Sequence, residues 1–274
     1  MRKTLYLFAT LFAAALLLFT AAPSRAQKDD PTPKPKAAPK VDEKAVAVVN
    51  RAVEALGGPA YLGVRTVTSK GYFTEFREGI SGIPVTFRDY LVFPDRERTE
   101  FKGAGVQFLQ VNTGATGWVF EAKKKQLTDV TPEQVESFKT TLRTSIDNLP
   151  RGWWRNEGAS LTYVGRREAG LARRNEVVRV TYPDGFEAEF EFDAREGLPA
   201  KVLYKRPNAE GETVEEEDRY AQFLTIQGVR FPFVIDHYRA GQQSSRVNYD
   251  TVELNKPVPD SLFAKPADVK SIKF

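Results

Sequence analysis

The chain of 274 residues contains no cysteine and one histidine, His237. The missing cysteines exclude a disulfide framework, thiolate metal ligands and an N-terminal lipidated cysteine. A lone histidine without cysteine cannot assemble a zinc site of the usual kinds. Excess charge is missing as well. Lysine and arginine number 40 against 36 acids, and three of the basic residues (Arg2, Lys3, Arg25) fall within the first 26 positions. The remainder is near neutral, which excludes the concentrated basic field of a nucleic-acid footprint. Gly57-Gly58 and Gly103 to Gly105 do not match phosphate-cradling loops. No strand-turn-helix nucleophile elbow stands near a serine. The reading is of a non-enzymatic chain with no cofactor.

What is present begins with an address. Arg2 and Lys3 precede an apolar run from Leu5 to Ala22, and Ser24-Arg25-Ala26 supplies small residues for a signal peptidase. Residues 1–26 thus read as a signal peptide cleaved near Ala26, with a retained anchor as the alternative. Residues 27–41 carry Pro31, Pro33, Pro35 and Pro39 among lysines. They read as a disordered, extended linker reaching roughly 40 Å at ~3.1 Å per residue. An exported protein of this length without disulfides rests on its own core.

Residues 42–274 read as one domain. Asp42 is a helix N-cap, and Gly57-Gly58 closes a stripe of Val46, Val49, Val53 and Leu56. Thr131-Pro132-Glu133-Gln134 is a capping box opening a second helix that runs to Leu149 through Val135, Phe138, Leu142 and Ile146. Everything else is strand: runs between Thr66 and Asp129, then Ser160 to Leu254, parted by short Gly, Pro and Asp-rich turns that force antiparallel neighbours. Phe186 to Asp193 alternates strictly, with Phe186, Ala188, Phe190 and Phe192 on one face and Glu187, Glu189, Glu191 and Asp193 on the other. The fold class is α+β: about eleven antiparallel strands and two helices in one domain.

The titratable groups read structurally. Glu187, Glu189 and Glu191 have the spacing of a solvated sheet face, although paired carboxylates also serve glycosidases. Glu215 to Asp218 reads as a charged outer or edge strand. His237 lies inside a β run and reads as a sheet-surface histidine.

The 19 Phe, 10 Tyr and 3 Trp say more. They are core in the first instance, but a long curved sheet cannot fill its own concavity and leaves an apolar pocket. Its expected lining is Phe73, Phe87, Leu91, Phe108, Trp118, Phe120 and Phe190, closed over by Phe138, Leu142, Trp153 and Trp154.

The order of these signals resembles the LolA/LolB-like periplasmic lipoprotein carriers, also called outer-membrane lipoprotein-sorting proteins. The likeness rests on Ala55-Leu56-Gly57-Gly58, Lys70-Gly71-Tyr72-Phe73, Pro94 to Thr99, Asn112 to Trp118, Phe192-Asp193 with Gly197-Leu198-Pro199, Ile226 to Pro232, and Asn255-Lys256-Pro257 with Leu262-Phe263. The resemblance implies an antiparallel, incompletely closed β-barrel of about eleven strands with helices packed across its concave side as a lid, and an apolar cavity that receives acyl chains. It implies a lipid or lipoprotein acyl chain as partner, with envelope proteins possible, no nucleic acid, and contact with the membrane that is peripheral at most. A self-filled barrel acting as an envelope interaction module is the alternative.

Overall fold

The computed structural model describes residues 39–208 and 211–272. Residues 1–26, read as an export signal, and residues 27–38, read as linker, lie outside the described residues.

Two helices open the fold: α1 (Glu43–Leu56) and the short α2 (Pro59–Leu62). The first sheet half follows as β1 (Thr66–Arg77), β2 (Ile80–Ser81), β3 (Val85–Val92), β4 (Arg96–Gly103), β5 (Val106–Thr113), β6 (Gly117–Glu121) and β7 (Gln126–Asp129). Next come α3 (Pro132–Thr144) and α4 (Asn148–Arg151), then a 3-10 turn over Trp153–Glu157. The second half is β8 (Ser160–Glu168), β9 (Arg174–Thr181), β10 (Glu187–Asp193), β11 (Pro199–Pro207), β12 (Thr213–Ile226), β13 (Val229–Arg239) and β14 (Gln242–Leu254).

All fourteen strands form one antiparallel sheet, in the order β7-β6-β5-β4-β3-β1-β14-β13-β12-β11-β10-β9-β8, with β2 paired to β1. Apart from β1–β3, which passes over the short β2, only β1–β14 is non-sequential. That single long-range pairing joins two meanders whose outer edges, β7 and β8, are left unjoined. The strand count corrects the expected eleven: each long run is a separate strand, and Ile80–Ser81 adds a short one.

Local chemistry explains the helices. Asp42 accepts from the Lys44 N–H at the start of α1, and Gly57 ends it at φ 124°. A side chain at Gly57 would sit 2.3 Å from the Gly228 carbonyl, so this close approach needs glycine. Thr131 and Gln134 form the capping box of α3 as read from sequence. The helix stops at Thr144 rather than Leu149, because Ser145 is extended (φ −56°, ψ 140°). Asn148 then donates to the Arg143 carbonyl (2.6 Å) and to the Tyr182 hydroxyl (2.7 Å), tying the break to the sheet.

Three of the four buried clusters frame the sheet. On the concave face of β8–β11, α1 places Ala45, Val49 and Ala52 against Leu161, Val178, Val180, Phe190 and Val202, with Trp154 filling the same cluster. At the lower end, where α1 and α2 meet the strands, Leu56, Tyr61 and Val64 pack on Val67, Val229 and Leu254. The third core lies on the opposite face of β5 and β6. There Leu109, Val111, Trp118 and Phe120 are covered by Phe263 and its neighbours from the chain that follows β14.

Candidate functional site: the concave face

Register decides which side chains share the concave face. Phe87 stands opposite Gly71 and Phe101, Phe101 opposite Phe108, and Phe73 opposite Val247 and Val85. Their rings touch: Phe73–Phe101 at 5.6 Å, Phe101–Phe108 at 6.4 Å, Phe87–Tyr249 at 5.5 Å and Phe231–Tyr249 at 5.2 Å between centroids. Most are edge-on or tilted, as ring quadrupoles favour. The wall runs from β5 across β4, β3, β1 and β14 to β13.

The expected lining divides among five places. Phe73, Phe87, Phe108 and Leu91 lie on this face. Phe190 and Trp154 are sealed beneath α1. Phe138 is buried and Leu142 half-buried on α3, which packs on β11 and α4. Trp153 stacks beside Phe93 (5.5 Å) and the Arg151 guanidinium (5.9 Å). Trp118 and Phe120 do not share the concavity. They alternate onto the other face, where Trp118 Nε1 donates to the Phe263 carbonyl (2.9 Å). Phe101, Phe231, Phe233 and Tyr249 complete the wall and were not singled out from sequence. Opposing Phe101 to Phe87 and Phe108 across hairpins of the observed register would have found the first.

The face is not uniformly apolar. Asp89 is buried and accepts from the Thr99 hydroxyl (2.8 Å). Burial, followed by the nearby Glu97 carboxylate, pushes the Asp89 carboxyl well up, and burial raises Glu97 to about 7 despite a hydrogen bond from Asn112. Burial likewise raises the phenols of Tyr220 and Tyr249.

On β12 and β13, His237 Nδ1 lies 2.5 Å from Asp218 Oδ1. Burial opposes protonation of this imidazole, but Asp218, Asp236 and Glu216 more than offset it and its pKa is raised. His237 is therefore a sheet-face histidine as read, half-buried and paired with Asp218. The Ser244 hydroxyl donates to the His237 carbonyl (3.2 Å) rather than meeting its ring. Among the described residues no group of three or more His, Cys, Asp or Glu is placed to hold a metal.

Two further expectations are corrected. β12 is central rather than an edge strand, and Glu216 is buried between Arg206 (2.9 Å) and Arg239 (3.4 Å). The Glu187–Glu191 stripe is not simply solvated. Glu191 has no exposed side-chain surface and receives Arg167 (2.7 Å) and Asn175 (2.8 Å), while Arg167 and Arg179 both bond Glu189.

No protein-family model matches the sequence, and no curated protein matches it. Solved structures do. A LolA superfamily protein from Nitrosomonas europaea is 14% identical, with a TM-score of 0.55 over 81% of this chain and 97% of that one. A DUF1329 family protein from Desulfovibrio piger is 12% identical, with a TM-score of 0.58 over 80% and 97%. An outer membrane lipoprotein-sorting protein domain from Vibrio parahaemolyticus is 12% identical, with a TM-score of 0.51 over 80% and 95%. The fold is thus LolA-like: a large, unclosed antiparallel sheet with few helices.

Proposed function

We propose that this protein is an exported, non-catalytic envelope protein of the periplasm that binds the acyl part of a lipid or lipoprotein on its concave face. The observation that carries the reading is the continuous aromatic wall from Phe108 through Phe101, Phe73 and Phe87 to Tyr249 and Phe231. It lines the concave side of a sheet that does not close. Burying an alkyl chain there stabilises by ~0.8 kcal/mol per methylene. In this reading α3, which packs on β11 and is set off from α4 by the extended Ser145, is the segment that opens to admit cargo. The printed description of the Vibrio domain, lipoprotein sorting, supports this choice of cargo. Among the described residues no helix is long and apolar enough to cross a membrane.

The test is native mass spectrometry of protein purified from the envelope, followed by organic extraction. Co-purifying lipid or acylated peptide, lost in Phe138→Glu/Leu142→Glu protein that keeps its circular dichroism, is the expected result. Bare protein that also takes up no fluorescent fatty acid overturns it.

One observation favours a second reading, an interaction module that fills its own barrel. The concave side of β8–β11 is already occupied by α1 and Trp154. Bare protein in the same experiment would select this alternative.

A further inference from the structure

The ladder between β13 and β14 is incomplete. These strands pair only from Val234–Asn248 to Arg239–Gln242, although β13 starts at Val229 and β14 runs to Leu254. Below Val234 each is held from its far side alone, β13 by β12 down to Ile226 and β14 by β1 down to Val67.

The sequence supplies a cause in Pro232. Ile226 and Val229 close the two-residue Gln227-Gly228 hairpin and bond each other, so by alternation Arg230 and Pro232 turn their main-chain groups away from β12. Above them the alternation is reversed: Ala240 N–H donates to the Glu215 carbonyl, so Val234 in the same register faces β12. Pro232, just below the point where pairing stops, has no N–H to offer β14. On the other side the β1–β14 register shifts between Lys70 and Gly71, with Asp250 as the extra residue. The parted strands leave a cleft of about 500 Å³, with Ser69, Ile226, Phe233 and Val252 in its lining and Lys70 and Glu253 among the charges beside them.

One wall of this cleft offers hydrogen bonds. Asn255 N–H donates to the Thr66 carbonyl (2.9 Å). Val67 and Leu254 are therefore a non-hydrogen-bonded pair. Leu254, and Val252 two residues before it, consequently turn N–H and C=O away from β1 and toward the gap. An alkyl chain offers such groups nothing, whereas an extended backbone meets them at strand spacing.

We propose that the β13–β14 cleft is a docking site for an extended peptide that pairs as an added strand with the Val252–Leu254 edge and sets an apolar side chain against Ile226 and Phe233. The opposite wall is a poorer partner for that edge, because Pro232 lacks a donor. The partner is a proline-free segment with apolar residues two apart. This inference does not rest on acyl binding at the concave face.

The test selects short random peptides displayed on phage against the purified protein, then uses a synthetic copy of the enriched sequence. The expected peptide slows hydrogen exchange at the Val252 and Leu254 amides about tenfold or more. N-methylation of its residues facing the edge abolishes that protection, and N-methylation of the intervening residues does not. Failure to enrich any sequence, or equal tolerance of both N-methylated series, overturns the proposal. So does protection of these amides by lauric acid when the peptide gives none, which would make the cleft an alkyl site.

Discussion

Glu191 sits in a strand whose alternation assigns it to water, yet its side chain has no exposure. Arg167, Asn175 and Lys201 close over it from β8, β9 and β11. A buried charge is tolerable only while its partners remain. Glu191→Ala is expected to cost about 2–4 kcal/mol, below the largest values for buried pairs because Arg167 is partly screened by solvent. Urea titration checks this, and Glu187→Ala at the exposed end of the same stripe should change little.

Asp89 and Glu97 set a pH dependence at the same scale. Their folded pKa values lie above the unfolded ones. The folded state therefore holds protons that the unfolded chain has released, and stability falls as pH rises through this window. For Glu97 the window runs from 4.5 to about 7. The raised His237 acts in the same direction, its contribution present below the unfolded value of 6.5 and lost as pH rises through its folded value. Glu176, Glu189 and Asp184 have lowered pKa values, and their contribution is lost as pH falls through their folded values. Stability should thus peak on the acid side of neutrality. Glu97→Gln should flatten the decline toward pH 7 and above, by up to about 3 kcal/mol. Denaturation midpoints measured at several pH values decide it, and an unchanged slope in the variant rejects the assignment.

At the scale of elements, caps and turns were legible and breaks were not. Asp42 with Gly57-Gly58, the Thr131 capping box and the Gln227-Gly228 hairpin each announce themselves through one residue's conformational preference. The end of α3 at Thr144 was hidden because Leu142, Ile146 and Leu149 keep helical spacing across the break. What stops the helix is tertiary: Asn148 tied to the Arg143 carbonyl and Tyr182, and Arg143 bonded to Glu157 and Asp184 over the Tyr182 ring. Arg143 therefore pins the end of α3 to the sheet. Arg143→Ala is expected to cost about 2 kcal/mol. It should also speed amide exchange across Pro132–Thr144 while α1 keeps its rates. Equal acceleration in both helices would mean general destabilisation rather than a released cover.

The whole molecule shows why the concave face was only half readable. Where one face of a strand is wet, alternation tells inside from outside, as in β10, whose Phe190 and Phe192 are buried as read. β5 and β6 carry apolar residues on both faces: Phe108 on the concave side, and Leu109, Val111, Trp118 and Phe120 on the other. The second set is covered by the chain after β14, far away in sequence, so nothing local marks which face is which. That strap is held by specific bonds. Arg98 donates to the Leu262 carbonyl (2.9 Å), Trp118 to that of Phe263 (2.9 Å), and Arg96 pairs with Asp260 (2.7 Å). It follows that the strap is a structural part of the barrel rather than a tail. Ending the chain after Lys256 would bare four large apolar side chains on a sheet surface, a patch that drives association. The shortened protein is expected to bind a hydrophobic dye, to self-associate in sedimentation, and to show red-shifted tryptophan emission as Trp118 meets water. The full chain with Phe263→Ala should show the same changes in weaker form, because the bonds of Leu262 and Phe263 use main-chain carbonyls and survive it. A shortened chain that stays monomeric with unshifted emission would mean that the outer face of β5 and β6 does not need its cover.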